Sequence, residues 1–246
     1  MIPSIMRLKA TFLVMLFFSS LFVGAVQGTP PESIAVDGDF SDWSNDSLLQ
    51  SDGNGIDVRM TWNDTHLFLG WDGTDWKSTF EGADLFVYLN TTQGGSVLAR
   101  DWGFAHTLPF EADHGFVLED DTYFQHIAHD GVSWVDQGTG VDLYAGWSEN
   151  LATELALPWS ALGNPVGFEI FMYAQWQDAG HVWASFPTQN PASNNGAEVF
   201  THAWHVANTS NVTDLSNLPI VESGGVEKVE DALNLAIIFH QHQPYY

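Results

Sequence analysis

The sequence predicts an all-β protein that folds as a two-sheet antiparallel β-sandwich of jelly-roll type. Short runs of residues alternate between apolar and polar side chains, which is the period of a half-buried strand. Gly, Asn, Asp and Pro separate these runs, and no stretch of ten or more residues has apolar residues at helical spacing. Strands with one apolar face bury that face most simply between two packed sheets.

The alternation is clearest at 56–63, where apolar side chains fall on one face and polar side chains on the other. Turn-forming residues at 63–65 lead into a second alternating run at 67–71, so the two runs predict a β-hairpin. A proline and a glycine bracket 158–163, which predicts a single helical turn between strands. Nine further runs predict strands at 84–89, 115–119, 122–128, 132–135, 142–147, 152–157, 168–176, 181–185 and 198–204.

The first 28 residues have the layout of a secretory signal peptide. Arg7 and Lys9 precede an apolar and small-residue run at 10–26, and Gly28 follows it before a pair of prolines. The run is at the short end for a membrane span, so we expect cleavage and no stable membrane insertion afterwards. The predicted location is therefore secreted, extracellular or at the cell surface. The chain contains no Cys, so the core must hold by packing without disulfides.

The chain is strongly acidic, with 31 acidic and 6 basic residues and a formal net charge of −25 at pH 7. Binding to nucleic acid needs a basic surface that neutralises phosphates. The composition therefore argues against a nucleic-acid partner. Evenly spread acidity of this kind is typical of a solvated surface.

Three segments are predicted to follow the signal peptide. Residues 29–204 carry the alternating strands and form the sandwich domain. Residues 205–232 lose the alternation and are rich in polar residues and glycine, which predicts a linker. Residues 233–246 begin with an almost continuous apolar run, typical of a strand buried on both faces of a parallel sheet. A second domain is therefore expected to start there, and the chain to be a fragment of a longer protein.

The sequence Asp37-Gly38-Asp39-Phe40-Ser41-Asp42-Trp43 follows a short apolar run, and two later segments at 83–90 and 154–163 agree with it in order. Together these segments resemble the family 9-like carbohydrate-binding modules and their DOMON-like relatives, over about 170 residues. The resemblance implies a β-sandwich that often accompanies secreted enzymes acting on glycans.

Asp37, Asp39 and Asp42 have two readings. Their close spacing is that of oxygen ligands for calcium, which is the only cofactor the sequence indicates. Asp and Gly residues in turns without a metal are far commoner, and the same carboxylates could accept hydrogen bonds from turn amides while Trp43 packs into the core.

Eleven tryptophans make a sugar-binding surface the leading hypothesis, because flat aromatic rings pack against the apolar faces of pyranose rings. The richest cluster is Trp71-Asp72-Gly73-Thr74-Asp75-Trp76, where Trp71, Asp72, Asp75 and Trp76 are the candidate ligand contacts. Trp176, flanked by polar residues at a strand end, is a further candidate. Trp102, Trp147 and Trp183 also occupy loop-like or strand-end positions, whereas Trp62, Trp134 and Trp159 are predicted to lie in the core.

The ten histidines do not predict a metal site. The pairs His126/His129 and His202/His205 are spaced three apart, and on a strand this spacing points side chains to opposite faces. His106 and His114 have no convincing ligand partner nearby in the sequence. Some DOMON relatives bind haem, but no Met and His pair here stands out.

The segment Ile237-Ile238-Phe239-His240-Gln241-His242-Gln243-Pro244 closely resembles the first conserved region of glycoside hydrolase family 57. The resemblance implies a (β/α) barrel that acts on α-glucans through a retaining pair of carboxylates, with His242 beside the sugar and His240 next to it. Side chains at the carboxyl ends of barrel strands form such active sites. Both catalytic carboxylates would lie downstream, so this polypeptide alone is expected to be inactive.

The sequence therefore predicts the non-catalytic, carbohydrate-binding region of a secreted α-glucan hydrolase, with a polysaccharide of the α-glucan class as its partner. Two alternatives remain open at this stage. One is a structural or interaction sandwich of a cell-surface protein, and the other is a DOMON-like domain that binds haem or another ligand.

Overall fold

The predicted all-β sandwich is confirmed by a computed structural model, which describes residues 34–52, 56–72, 83–118, 123–138, 144–148, 152–176, 180–192, 195–210 and 215–223. The signal peptide and the segment 233–246 lie outside these residues. The strands of the described part are β1 (Leu48–Ser51), β2 (Asp57–Trp62), β3 (His66–Asp72), β4 (Ala83–Asn90), β5 (Ser96–Leu98), β6 (Thr107–Ala112), β7 (His114–Leu118), β8 (Phe124–His129), β9 (Trp134–Asp136), β10 (Tyr144–Ser148), β11 (Ala152–Pro158), β12 (Phe168–Trp176), β13 (His181–Phe186), β14 (His202–Val206) and β15 (Ile220–Glu222).

The predicted hairpin at 56–71 forms as β2 and β3, with Met60 opposite Leu69 and Trp62 opposite Leu67. The side chain of Asn63 accepts hydrogen bonds from the backbone amides of Thr65 and His66 at 2.8 and 2.9 Å. This side-chain turn fixes where β2 ends and β3 begins, and thereby the register of the pair.

Two antiparallel sheets form the sandwich. The first has the order β1-β2-β3-β11-β10, and the second has the order β15-β14-β12-β4-β7-β8-β9, with β13 also paired to β12. Alternate side chains of β2, β3 and β11 meet alternate side chains of β4, β7 and β12 in the main core, which includes Met60, Leu69, Val87 and Met172. Trp62 and Trp159 also lie in this core, as predicted. Trp134 is only half-buried, and its indole N–H donates to the backbone carbonyl of Leu98.

A third layer covers the outer face of the second sheet and was not predicted. β5 and β6 pair with each other, and Leu108, Phe110 and Ala112 of β6 pack on Tyr88 and Phe171 of the sheet beneath. β5 has only three residues, and Pro109 inside the six-residue β6 is atypical of a strand, so neither was identified from sequence. The second sheet is therefore buried over much of both faces.

The sandwich extends beyond residue 204, so the predicted linker at 205–232 begins too early. β14 continues to Val206, and β15 pairs with it through Trp204 opposite Ile220. Leu215 is buried against the main core. The segment is polar in composition, and its edge strand β15 has only three residues, too few to show an alternating pattern in the sequence.

The predicted helical turn forms as a 3₁₀ turn at Trp159–Leu162, ended by Gly163 with a positive φ of 76°. Within the described residues no helix is long and apolar enough to cross a membrane.

Candidate functional site

The two ends of β12 are built differently because two strands share one of its edges. β14 pairs with Phe168 to Ile170 at the start of β12, and β13 pairs with Met172 to Trp176 at its end. β4 pairs along the opposite edge of β12 over the whole length from Glu169 to Trp176. The end of β12 next to β13 carries the most exposed aromatic surface described in the chain.

An irregularity in β13 brings two tryptophans to the same side of the β12–β13 pair. Ala174 lies opposite Ala184, but the next residue, Gln175, lies opposite Val182, so Trp183 is an extra residue on β13. In a regular ladder Trp183 would face Gln175 and point away from Trp176. A β-bulge re-aims side chains in this way, and it allows Trp183 to reach Trp176.

The rings of Trp176 and Trp183 are stacked. Their centroids lie 5.8 Å apart, and the planes differ by 9°. Trp176 is 45% exposed and Trp183 is 42% exposed. An offset stack of this kind presents an apolar surface longer than a single indole, and burying such a surface on a ligand is favourable.

Polar groups lie beside this pair. The ring of His181 lies 5.8 Å from that of Trp176, and Nδ1 of His181 donates to the side-chain oxygen of Asn195 at 2.7 Å. Because an amide oxygen only accepts hydrogen bonds, Nδ1 carries the proton and Nε2 of neutral His181 is left as an acceptor. We call Trp176, Trp183 and His181 the tryptophan platform.

A buried polar network underlies the platform, and the sequence did not predict it. Gln175, next to Trp176 but on the other face of β12, is fully buried, and its side-chain oxygen contacts Nε2 of His106. Nδ1 of His106 accepts from the amide of Glu198 at 2.9 Å, so Nε2 must be the donor to Gln175.

The loop that carries His106 is held by a buried carboxylate. Asp101 accepts from the amides of Ala105 and His106 at 2.6 and 3.0 Å and from the hydroxyl of Tyr173 at 3.2 Å. Burial raises the pKa of Asp101, and these hydrogen bonds oppose the shift. Trp102 and Ala105 adopt positive φ values of 41° and 53° in this loop, a strained conformation that the hydrogen bonds maintain.

Trp102 is the other partly exposed tryptophan near this end of the sheet. It is 39% exposed, its indole N–H donates to the carboxylate of Asp84, and its ring contacts those of Phe86 and Tyr123. It does not stack with another tryptophan in the described part of the chain. Trp147 lies on β10, whose side chains are outside the description.

The structure corrects the prediction for Trp71. This residue is on β3, has no solvent-exposed surface and packs in the main core. It follows Leu67 and Leu69 on the inward face of β3, so the alternation of inward and outward side chains continues to the end of the strand. No face of the Trp71 ring is therefore available to a sugar. Asp72 is half-exposed at the end of β3, and Asp75 and Trp76 lie outside the described residues.

The aspartates proposed for calcium are used by the N-terminal turn instead. Asp37 accepts from the amide of Asp39 at 3.0 Å, Asp39 accepts from the amide of Ser41 at 2.9 Å, and Asp42 accepts from the amide of Ala35 at 2.7 Å. Among the described residues no group of three or more His, Asp or Glu side chains is placed to hold a metal. In this structure the three carboxylates are therefore not gathered around one point, because each accepts from a different amide, and the calcium site stays a prediction.

Buried Glu154 of β11 ties the segment 154–163 to the Asp-Gly turn near the start of the described residues. One carboxylate oxygen accepts from the amides of Asp37 and Gly38 at 3.0 and 2.5 Å, and the other accepts from the indole N–H of Trp43 at 2.6 Å. Trp43 itself packs on Phe68 and Ala156, on the outer face of the first sheet. The Asp-Gly turn is thus a structural anchor.

A histidine pair that sequence spacing did not predict lies across two strands. Nδ1 of His114 on β7 is 3.1 Å from Nε2 of His126 on β8, and the ring of His126 stacks on Phe116 with centroids 4.5 Å apart. Burial, followed by the neighbouring charge of His114, lowers the pKa of His126 to about 4. Burial also lowers the pKa of His114.

His240 and His242 lie outside the described residues, so their predicted role at a barrel mouth stays a prediction. Comparison of the sequence with protein-family models and with curated proteins, and of the fold with solved structures, found no match.

Proposed function

We propose that the sandwich is a carbohydrate-binding module and that the tryptophan platform is its ligand site. The observation that carries this proposal is the exposed, nearly parallel stack of Trp176 and Trp183. A folded protein gains nothing from leaving two stacked indoles in water, so such a patch is typical of a binding surface. The adjacent acceptor on His181 is placed to bond a sugar hydroxyl while the rings contact the apolar ring face.

The ligand is proposed to be a neutral polysaccharide, with α-glucan as the substrate class. The net charge of −25 disfavours anionic ligands, because they would be repelled before contact. The choice of α-glucan rests on the resemblance of the segment around His240 and His242 to family 57 glycoside hydrolases. A binding module joined to such an enzyme would hold it on its polymer and raise its effective concentration there.

The experiment is a pull-down of the full chain on insoluble starch, with cellulose as a second polymer. We expect retention on starch, and we expect Trp176→Ala and Trp183→Ala each to weaken binding about tenfold or more, as for central aromatic contacts. Trp102→Ala is the matched control, because it removes another partly exposed tryptophan outside the platform. Thermal unfolding of each variant checks that the fold is retained.

Equal losses in all three tryptophan variants would show that the platform is not the site. Retention on cellulose with none on starch would leave a carbohydrate-binding module but contradict the α-glucan assignment. Failure to bind any glycan would contradict the proposal as a whole.

A further inference from the structure

A cleft of about 970 Å³ lies at the start of β12, at the end opposite the tryptophan platform. Its volume is within the range of roughly 300–1,000 Å³ that is typical of small-molecule sites. The two sites are separated by most of the nine-residue length of β12, which is roughly 25 Å at the rise of an extended strand. The cleft therefore shares no side chain with the platform.

A polar row crosses three strands at the floor of this cleft. Glu169 of β12 lies opposite Asn90 of β4 on one side and opposite His205 of β14 on the other. Side chains in register across neighbouring strands point to the same face of a sheet. On that same face the neighbouring row is apolar, with Phe171 and Tyr88 packed beneath the third layer. The apolar contact between the layers thus gives way to polar side chains where the cleft opens.

The floor of the cleft holds unused hydrogen-bonding capacity. Asn90 donates to one carboxylate oxygen of Glu169 at 2.9 Å. The other oxygen of Glu169 lies 3.9 Å from Nδ1 of His205, which is too far for a hydrogen bond. Nδ1 of His205 is buried and has no hydrogen-bond partner among the described residues. The His205 and Glu169 side chains are otherwise 43% and 26% exposed, so a ligand hydroxyl at the mouth of the cleft could bond to the exposed parts of the imidazole and the carboxylate.

The rim of the cleft is rigid and allows close approach. Asp113 accepts from the amides and hydroxyls of both Thr91 and Thr92 at 2.7 to 2.8 Å, which fixes the turn that leads to Gly94. A side chain at Gly167 would meet the carbonyl of Val206 at 2.5 Å, so only glycine fits there. At Gly167 the carbonyls of Val206 and Ala207 fill the space of a side chain, whereas at Gly94 that space is open, so a ligand ring can approach the backbone at Gly94.

The charge of the lining decides the class of ligand. Among the described residues that line the cleft, the acidic side chains are Glu111 and Glu169, and none is Lys or Arg. An anion would therefore find no partner. Amides, carboxylates and an imidazole together offer the mixed donors and acceptors that a neutral polyol requires.

We propose that this cleft is a second saccharide-binding site, which takes a neutral oligosaccharide through Asn90, Glu169 and His205. The inference rests on the proposed function, because it assigns the same ligand class to a second place. Two sites on one module would bind a long glycan more tightly than either site alone, by the effective concentration of the second site.

The test is an NMR titration of the full chain with maltohexaose, with the chain produced in a host that lacks N-glycosylation because Asn90 begins an Asn-Thr-Thr sequon. The backbone amides of Gly94 and Gly167 report on the cleft, and the indole N–H signals of Trp176 and Trp183 report on the platform. The double variants are Glu169→Gln with His205→Ala, and Trp176→Ala with Trp183→Ala. His202→Ala, on the same strand as His205 but outside the cleft, is the matched control.

We expect both sets of signals to move in a saturable way. The cleft signals should still move in the tryptophan double variant, and the Glu169/His205 double variant should weaken the cleft affinity about tenfold or more while His202→Ala leaves it unchanged. If only the indole signals move, the cleft proposal is overturned and the proposed function stands. If cleft signals move equally in the Glu169/His205 variant, the assignment to these side chains is overturned. If no signal moves with any glycan, both proposals fail.

Discussion

At the scale of single residues, Glu154 shows how one buried carboxylate organises the N-terminal turn. It has no exposed surface, and both of its oxygens accept hydrogen bonds, from two backbone amides and one indole. Burial raises its pKa, and the hydrogen bonds from Trp43, Gly38 and Asp37 oppose that shift. Replacing a buried acceptor that has three donors lowers the free energy of unfolding, because each N–H group left without a partner is buried and cannot bond to water instead.

Glu154→Gln is expected to lower the free energy of unfolding by roughly 2–3 kcal/mol. In the variant, the side-chain NH₂ group of Gln would stand where Glu154 has an acceptor oxygen, so two hydrogen-bond donors would face each other. Urea unfolding measures the change, and Glu111→Gln, an exposed residue on β6, is the matched control. Equal stability of the two variants would contradict the anchoring role.

Trp71 and Trp176 are expected to respond in opposite ways to the same substitution. Trp71→Ala should lower the free energy of unfolding by about 3–5 kcal/mol, because it leaves a cavity in the core. The protein that stays folded should bind glycan as before. Trp176→Ala should leave stability nearly unchanged and weaken glycan binding. Urea unfolding and a glycan titration of each variant, at low denaturant, separate the two effects.

At the scale of elements, the pairing of β7 with β8 creates a pH-sensitive contact. One nitrogen of the His114/His126 contact must donate and the other accept, so the contact is lost when both rings are fully protonated. The His126 ring is 2% exposed and rests against Phe116, which disfavours its charged form.

Stability should therefore fall as the pH is lowered from about 6.5 to 4. In this window an unfolded histidine binds a proton, whereas folded His126, with its pKa lowered to about 4, does not. The unfolded state then binds more protons, so the free energy of unfolding decreases by up to roughly 3 kcal/mol. Replacing His126 with Phe should flatten this dependence.

His129→Gln, on the same strand, is the control for that pH series. Comparing variants with the parent protein cancels the opposite contribution of Glu154, whose raised pKa makes its stabilisation fade as the pH rises. An unchanged slope in His126→Phe would show that the pair does not govern the acid side of the stability curve.

Elements that depend on contacts between residues close in sequence were predictable. Contacts that depend on how strands distant in sequence align with each other were not. The β2–β3 hairpin and the turn at Trp159–Leu162 depend on neighbouring residues, and the sequence predicts both. The bulge at Trp183 and the His114/His126 contact depend on how distant strands align. Trp71 was misjudged for the same reason, since its aspartate and glycine neighbours indicate a turn while the strand pairing keeps the ring inside.

At the scale of the whole molecule, the second sheet is covered on both faces and bears both proposed sites. The main core packs on one face and the β5–β6 layer on the other, so β12 is a rigid central strand. The tryptophan platform lies at the C-terminal end of this strand, and the polar cleft lies at its N-terminal end. Rigid placement lowers the entropic cost of ordering side chains when a ligand binds.

The net charge of −25 complements this arrangement. It keeps the surface hydrated and repels anions, while the exposed indoles offer the uncharged contact that a neutral glycan uses. The overall architecture was predictable from strand alternation, and Trp176 was already a candidate contact. Its stacking with Trp183 and the position of the cleft were not predictable, because each depends on which strands share an edge of β12.

The most direct test of glycan binding by the platform is a calorimetric titration of the full chain with maltohexaose. The parent protein is expected to give a saturable isotherm, and the variant with both Trp176→Ala and Trp183→Ala to bind at least about thirtyfold more weakly, because it loses the stacked rings. An isotherm that is the same for both proteins would contradict the account.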